Sequence, residues 1–120
     1  MRTIIVCISF EEGAVMRRLV CALLVLPSIS LAADLEMGLT LKDHQFVPAT
    51  LKVPAGKKVK LLVNNTDATP EEFESHALNR EKLIAGHARA TIYIGPLSPG
   101  QYPFWGEFNE KSAHGVIVAE

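Results

Sequence analysis

The residues with the clearest chemical potential lie in one short stretch, TPEEFESH, from Thr69 to His76. It places three carboxylates and one imidazole within eight positions. Two interpretations fit this pattern. Thr69 and Pro70 suit the first positions of a helix, whose N-terminus also favours acidic side chains. Alternatively, the carboxylates and the histidine form a set of oxygen and nitrogen ligands around a metal ion.

The apolar residues of this stretch leave its secondary structure open. Over residues 70–84 they do not repeat at helical spacing, although the capping signals favour one short helix. As a strand, the segment would direct Phe73 into the core and place Glu72 and Glu74 together on the opposite face. The stretch alone therefore allows either a helix around 70–84 or a strand followed by a loop.

The rest of the chain favours strands. Apolar residues alternate with polar ones in LEMGLTLK from residue 35, ATLKV from residue 49, KKVKLLVNN from residue 57 and ARATIYI from residue 88. The turn-forming stretches PAG, NNTD and PLSPG interrupt them. YPFW and the closing GVIVAE predict two further short strands. Many short strands separated by turns indicate an all-β sandwich or barrel.

The N-terminal part of the chain has the layout of an export signal. From Met16, two arginines precede an apolar run, a proline and small residues, with the predicted cleavage after Ala32 and Ala33 as the alternative. We interpret residues 1–15 as an extension upstream of the true start, residues 16–32 as a signal peptide and residues 33–120 as the mature domain. The apolar run is too short for a membrane anchor, because a spanning helix needs about 20 apolar residues. We therefore predict a periplasmic protein.

The composition of the mature domain excludes several classes of protein. Cys7 and Cys21 are the two cysteines of the chain, and both precede the predicted cleavage site. The mature domain would then have neither a disulfide nor a thiolate metal ligand. The whole chain has a formal net charge of −1, which does not suggest nucleic-acid binding, since that would call for a basic face. Four histidines remain as possible metal ligands: His44, His76, His87 and His114.

Three stretches together resemble the framework of a cupredoxin: HQFVPATLKVPAGKKVKLLVNNTD, TPEEFES and PLSPGQYPFWGEFNEKSAHGVIV. The resemblance runs from Lys42 to Val118 and implies a Greek-key β-sandwich. In particular, the chain is similar to EfeO-type cupredoxin-like domains, which are small periplasmic modules associated with ferrous-iron transport. The implied role is an accessory to iron uptake. Its implied partner is a membrane iron permease or a periplasmic iron-binding protein.

The sequence departs from the cupredoxin pattern at the copper ligands. The resemblance puts Glu71 in place of the first histidine, Gly106 in place of the cysteine and Asn109 in place of the second histidine. Ser112 or Ala113 falls near the methionine position. Because a type 1 copper site depends on a Cu–thiolate bond, these departures exclude a blue-copper electron carrier.

Other carboxylates and histidines lie near these positions and form a different set of donors. We predict that the metal ligands are His44, Glu72, Glu74, Glu107 and His114, with Glu71 and His76 as further candidates. Such a mixed set suits Fe(II), Fe(III), Mn(II) or tetragonal Cu(II) and does not suit Cu(I), so the expected cofactor is an iron or copper ion. In a cupredoxin frame the segment 71–76 and the loop 106–114 approach one another at one end of the sandwich. Carboxylates gathered there repel each other and favour a bound cation.

Three functions are compatible with these residues. The first is a metal-binding protein that serves iron uptake, and we favour it. The second is a ferrous oxidase with a copper or iron centre, so the sequence leaves open whether the protein is an enzyme. The third is a metal-free interaction domain. For that function Trp105 is a candidate contact residue, since it alternates outward if Phe104 points inward.

Overall fold

The computed structural model describes residues 3–9, 19–28 and 35–120. The chain divides into two units, Met1–Ala32 and Ala33–Glu120. The basic start and the cleavage point of the predicted signal peptide lie outside the described residues. In the part of the chain that is described, no helix is both long enough and apolar enough to cross a membrane.

The first unit contains an antiparallel hairpin. Strand β1 (Thr3–Ser9) pairs with strand β2 (Leu19–Val25) along the whole length of both strands. In this register Cys7 is the Cα partner of Cys21. The two cysteines therefore occupy neighbouring backbone positions across the hairpin.

The second unit is an all-β sandwich of two sheets. Its described strands are β3 (Leu35–Lys42), β4 (Gln45–Val47), β5 (Thr50–Val53), β6 (Val59–Asn65), β7 (Glu71–Ser75), β8 (Arg80–Ile84), β9 (Arg89–Ile94), β10 (Gly100–Gly106) and β11 (His114–Ala119). One sheet has the order β4-β3-β6-β9 and the other the order β5-β11-β10-β7-β8. β3 pairs in parallel with β6, and β5 pairs in parallel with β11. Because parallel strands cannot be joined by a tight hairpin turn, the chain crosses between the sheets. The predicted Greek-key sandwich is confirmed.

The core lies between the inward faces of the two sheets. On β6 the alternate residues Val59, Leu61 and Val63 are buried, as the period of two predicts. Phe46 and Phe104 come from opposite sheets, with their ring centroids 5.1 Å apart and edge to face. A third ring from β7 stacks on Phe104 at 5.1 Å. This aromatic cluster fixes β7 and β10 against the four-stranded sheet, and each aromatic pair adds about 0.5–1.5 kcal/mol beyond its buried area.

Residues 70–84, all within the described range, contain no helix, which corrects that alternative. β7 and β8 form an antiparallel hairpin here, joined by a turn over residues 76–79. Asn79 takes a positive φ of 52° in this turn, and its N–H donates to the carbonyl of His76. Phe73 is the third ring of the aromatic cluster and is fully buried. Its burial outweighs the capping signals, because a short isolated helix is marginal in water.

Candidate metal centre

Three carboxylates lie side by side on the outer face of the β7–β8 hairpin. Glu74 is the Cα partner of Glu81, and Glu72 lies two residues along β7 on the same face. One carboxylate oxygen of each residue lies within 4.8 Å of those of the other two. Glu72 and Glu74 are half-buried and Glu81 is exposed, so none of the three side chains is enclosed in the core. The strand period places the β7 pair outward, because the residues that alternate with them are buried.

These carboxylates destabilise one another when they are all charged. A side-chain hydrogen bond with Glu81 raises the pKa of Glu72 above its usual range. Burial and the negative charges of Glu81, Glu74 and Glu107 raise that pKa further. A proton relieves the repulsion between the carboxylates, and so does a bound cation. Neutralising one of the three carboxylates therefore relieves the repulsion within the cluster.

The raised pKa of Glu72 predicts how stability depends on pH without metal. A glutamate that binds its proton more tightly in the folded state stabilises the fold below its unfolded pKa, near 4.5, and that contribution is lost as pH rises through the folded pKa. Glu72→Gln cannot ionise and keeps a donor for Glu81. We expect it to be more stable than the parent near pH 7 and to lose less stability between pH 4.5 and pH 7.

Urea unfolding with a chelator present, at both pH values, measures this difference. Trp105 is the single tryptophan of the chain, so its fluorescence follows the sandwich alone. A parent that is more stable than Glu72→Gln near pH 7 would contradict repulsion within the cluster.

His76 and Trp105 close one side of the cluster. Nε2 of His76 lies 3.1 Å from Oε1 of Glu74, and its ring meets that of Trp105 edge-on, with centroids 4.9 Å apart. The indole N–H of Trp105 donates to Oε2 of Glu107 at 2.8 Å. Trp105 points outward and is half-buried, while Phe104 is buried, as the alternation along β10 predicts. The indole therefore contacts both His76, which lies beside Glu74, and Glu107, and is placed to report on changes at the cluster.

The other sequence-predicted ligands lie at different distances from this group along the sheets. Glu107 follows β10 and contributes negative charge at Glu72. His114 is exposed at the start of β11, where it is the Cα partner of Trp105. His44 belongs to the four-stranded sheet, in the turn between β3 and β4. The structure thus brings Glu72 and Glu74 together, places Glu107 in the 3-10 turn after β10 and His114 at the start of β11, and puts His44 in another turn.

Asp67 organises the turn that contains His44. Its two carboxylate oxygens accept the backbone N–H groups of Asp43, at 2.8 Å, and His44, at 3.0 Å. Both turn residues have positive φ, 51° and 57°. The backbone hydrogen bond from His44 is the main cause that lowers the pKa of Asp67. The bond from Asp43 and the charges of His44 and His87 also lower it, and desolvation opposes them. His44 therefore has a local partner that explains its position without a metal.

Glu81 is the member of the group that sequence reasoning missed. Four of the five residues of β8 are exposed, so the strand carries no clear alternation of buried residues. A usable signal was present in the turn. If residues 76–79 form the turn of a hairpin, counting outward from its centre pairs position 74 with position 81. That count gives the register that the structure shows.

A second set of positions meets inside the sandwich. Glu71 is 1% exposed, and its Oε1 accepts the backbone N–H of Phe108 at 2.8 Å. Its Oε2 accepts a hydrogen bond from the side-chain amide of Asn109. A Cβ at Gly106 would lie 2.6 Å from Cδ of Glu71 and 2.8 Å from Cβ of Ala113. The positions that the resemblance assigns to copper ligands are therefore adjacent, and the carboxylate of Glu71 fills the space between them.

Comparison with known proteins identifies the family. The sequence matches the family model described as a cupredoxin-like domain over residues 16–119. The chain belongs to the cupredoxin-like family. It is also similar to an uncharacterised protein of Rickettsia prowazekii (strain Madrid E), with 45% identity over 84 residues, which are 70% of this chain and 67% of that protein.

Solved structures of copper proteins share the cupredoxin-like fold. Auracyanin A, a "blue" copper protein of Chloroflexus aurantiacus, matches with a TM-score of 0.64 at 14% identity, over 73% of this chain and 100% of that chain. The Cu(I)-bound metal-binding domain of the Cu(I)-exporting P-type ATPase of Streptococcus pneumoniae D39 matches with a TM-score of 0.62 at 14% identity. That match covers 76% of this chain and 91% of that domain. At these identities the likeness shows a common fold.

The ligand positions of this cupredoxin-like chain do not fit a type 1 copper ion. They offer a carboxylate at Glu71, a glycine backbone, an amide at Asn109 and a methyl group at Ala113. The Glu71 carboxylate already accepts hydrogen bonds on both oxygens. A thiolate at position 106 would need a Cβ for which there is no space. Electron transfer through a Cu–thiolate centre at this end therefore does not fit the chemistry of the chain.

Proposed function

We propose that this chain is a periplasmic metal-binding protein of the EfeO type that serves as an accessory to iron uptake. The observation that carries the proposal is the group of three carboxylates with oxygens within 4.8 Å of one another on the β7–β8 hairpin. The ion binds Glu72, Glu74 and Glu81, and the imidazole of His76 lies beside Glu74 as a nitrogen donor. Glu107 adds negative charge at Glu72.

The donor set favours a hard or borderline cation. Carboxylate oxygens with one imidazole suit Fe(II), Fe(III), Mn(II) or Cu(II), whereas Cu(I) prefers thiolates and thioethers. Structural neighbours of the chain are copper proteins by name, which supports Cu(II) as a probe of the site. Iron as the physiological ion rests on the likeness to EfeO-type domains.

The position of the cluster suits transfer of an ion rather than permanent retention. The carboxylates lie on the outer face of a sheet, and none of the three side chains is enclosed in the core. An ion there keeps open coordination positions toward an incoming ligand. The proposed recipient is a membrane iron permease or a periplasmic iron-binding protein, and the signal-like layout of residues 16–32 supports a location outside the cytoplasm.

A metal titration tests the site. The whole chain carries Cys7→Ser and Cys21→Ser, so that no thiol competes for the ion. Cu(II), or Fe(II) without oxygen, is added while Trp105 fluorescence and thermal unfolding are recorded. We expect quenching that saturates at about one ion per chain. At a metal concentration 100 times Kd, the ion should stabilise the fold by about 2.7 kcal/mol.

The matched variants locate the ion. Glu74→Gln/Glu81→Gln removes two charges from the cluster, and we expect it to weaken binding at least about tenfold, or 1.4 kcal/mol. Glu36→Gln/Glu120→Gln removes the same charge from two exposed positions outside it and should bind as the parent does. Equal weakening in both variants would mean that net charge, and not this cluster, holds the ion.

The other predicted ligands are examined in the same titration. His44→Ala should leave the affinity unchanged, because His44 is paired with Asp67 in a separate turn. Weaker binding in His114→Ala would show that the imidazole next to Trp105 is a further ligand.

Oxygen consumption measured with Fe(II) distinguishes a metal carrier from a ferrous oxidase. A rate that depends on the protein would replace the carrier by the ferrous oxidase alternative.

A further inference from the structure

Glu71 is a buried carboxylate that the proposed metal cluster does not use. It begins β7 and points into the sandwich, whereas its neighbour Glu72 points to the outer face. It is 1% exposed, and a carboxylate at that depth needs strong hydrogen-bond partners. Its partners therefore indicate why a glutamate occupies this position.

The partners of Glu71 come from the loop between β10 and β11. Oε1 accepts the N–H of Phe108 at 2.8 Å and also that of Glu72 at 3.0 Å. Oε2 accepts from the Asn109 side chain. Phe108 and Asn109 belong to a single 3-10 turn, Glu107–Asn109, that follows β10. One side chain of β7 thus joins its own strand to residues 37 and 38 positions further along the chain.

The loop that Glu71 binds is also held by hydrogen bonds between its own backbone groups. The carbonyl of Asn109 accepts the N–H groups of Ser112, at 3.1 Å, and Ala113, at 2.8 Å. The N–H of Gly106 donates to the carbonyl of Ala113 at 2.9 Å, which closes the base of the loop. Holding the 3-10 turn is therefore enough to hold residues 106–113 as a unit.

We infer that Glu71 and Asn109 form a metal-independent link that fixes the 106–113 loop, so that this end of the sandwich is complete without an ion and binds none. The link occupies the positions that the family resemblance assigns to copper ligands. The carboxylate also explains Gly106, since a Cβ there would lie 2.6 Å from Cδ of Glu71. This inference does not depend on the proposed function. It holds whether or not the outer carboxylates bind metal.

With glutamate at position 71, the link requires a hydrogen-bond donor on the side chain at position 109. Two backbone N–H groups point at Oε1 and an amide at Oε2. These three hydrogen bonds satisfy both oxygens of the buried carboxylate, which suits a joint between distant segments. Asn109→Asp would place a second carboxylate against Oε2 and remove the donor. Glu71→Gln/Asn109→Asp would restore the match, because the glutamine amide donates to Asp while its carbonyl oxygen still accepts from the backbone.

A swap experiment tests the link. The whole chain with Cys7→Ser and Cys21→Ser is heated with a chelator present, and Trp105 fluorescence gives Tm. We expect Asn109→Asp to lower Tm by about 10 °C or more. The double variant should regain at least half of that loss, and Glu71→Gln alone should stay close to the parent, since a rotated Asn109 amide can accept from it. If Asn109→Asp does not fold, a double variant that does fold would show the same recovery of stability.

Three results would overturn the inference. The first is a double variant no more stable than Asn109→Asp, and the second is an Asn109→Asp variant with the Tm of the parent. The third comes from a Cu(II) titration of folded Glu71→Gln: one bound ion fewer than the parent would place an ion at this end. If the Glu74→Gln/Glu81→Gln variant binds fewer ions than the parent, that result concerns only the carboxylates on the outer face. The Tm measurements are made with a chelator present, so their outcome does not depend on whether the outer carboxylates bind metal.

Discussion

Gly115→Ala is expected to destabilise the sandwich by about 3 kcal/mol, which is the upper end of the range for overpacked cores. A Cβ at position 115 would lie 2.1 Å from Cζ and 2.5 Å from Cε2 of Phe104. Phe104 is 1% exposed and cannot move aside, because Phe46 packs edge-on against it and Phe73 stacks on it, each at 5.1 Å. The backbone at Gly115 is not in the positive-φ region, so the cost comes from overlap alone.

Urea unfolding followed by Trp105 fluorescence measures this loss, with Gly38→Ala as the matched control. Gly38 also lies in a strand, and no heavy atom of the described residues lies within 4 Å of its added Cβ. Because glycine within a strand is entropically unfavourable, the control should be stabilised by about 0.5 kcal/mol. Equal effects at the two positions would show that the Phe104 ring does not set the identity of residue 115.

Most of the fold could be predicted from local patterns. The period of two over β3, β5, β6 and β9, with turn residues between the strands, is enough to indicate an all-β sandwich. The segment 70–84 could not be assigned in this way, because its decisive contacts are distant in sequence. Phe73 packs against Phe46 and Phe104, and the backbone carbonyl of Thr69 accepts a hydrogen bond from the Asn65 side chain at 2.9 Å. Local signals therefore left the choice between helix and strand open, and long-range burial decided it in favour of the strand.

The candidate site could likewise be predicted only in part, because some of its residues are placed by local patterns and others by distant contacts. The shared face of Glu72 and Glu74 follows from strand period alone, and the structure shows it. Glu81 needed the register of the hairpin, which depends on where the turn begins. The same period puts Glu71 on the inward face with Phe73, but it does not identify the partners of its carboxylate, which lie 37 and 38 residues away. His44 looked like a ligand in the sequence because spacing does not reveal that Asp67 holds its turn.

Gly106→Cys tests whether this end of the sandwich is closed to a thiolate. The added Cβ would lie 2.6 Å from Cδ of Glu71, 2.8 Å from Cβ of Ala113 and 2.9 Å from Oε1 of Glu71. We expect a loss of about 3 kcal/mol, because the overlap involves a carboxylate held on both oxygens. In a background with Cys7→Ser and Cys21→Ser, the new thiol is the only one in the chain. We expect Cu(II) to give no strong visible absorption of a Cu–thiolate bond, since positions 71 and 109 supply no imidazole.

A second substitution separates crowding from other effects of the cysteine. Glu71→Ala removes two of the three short contacts, although by itself it is destabilising because it leaves the N–H of Phe108 and the Asn109 amide without their acceptor. If the overlap with Glu71 causes the loss in Gly106→Cys, the double variant should be more stable than the sum of the single losses predicts, by about 0.5–3 kcal/mol. Strictly additive losses would mean that the cysteine acts elsewhere. An intense Cu–thiolate absorption in the single variant would mean that the loop opens readily enough to admit an ion, and that Glu71 does not close this end of the fold.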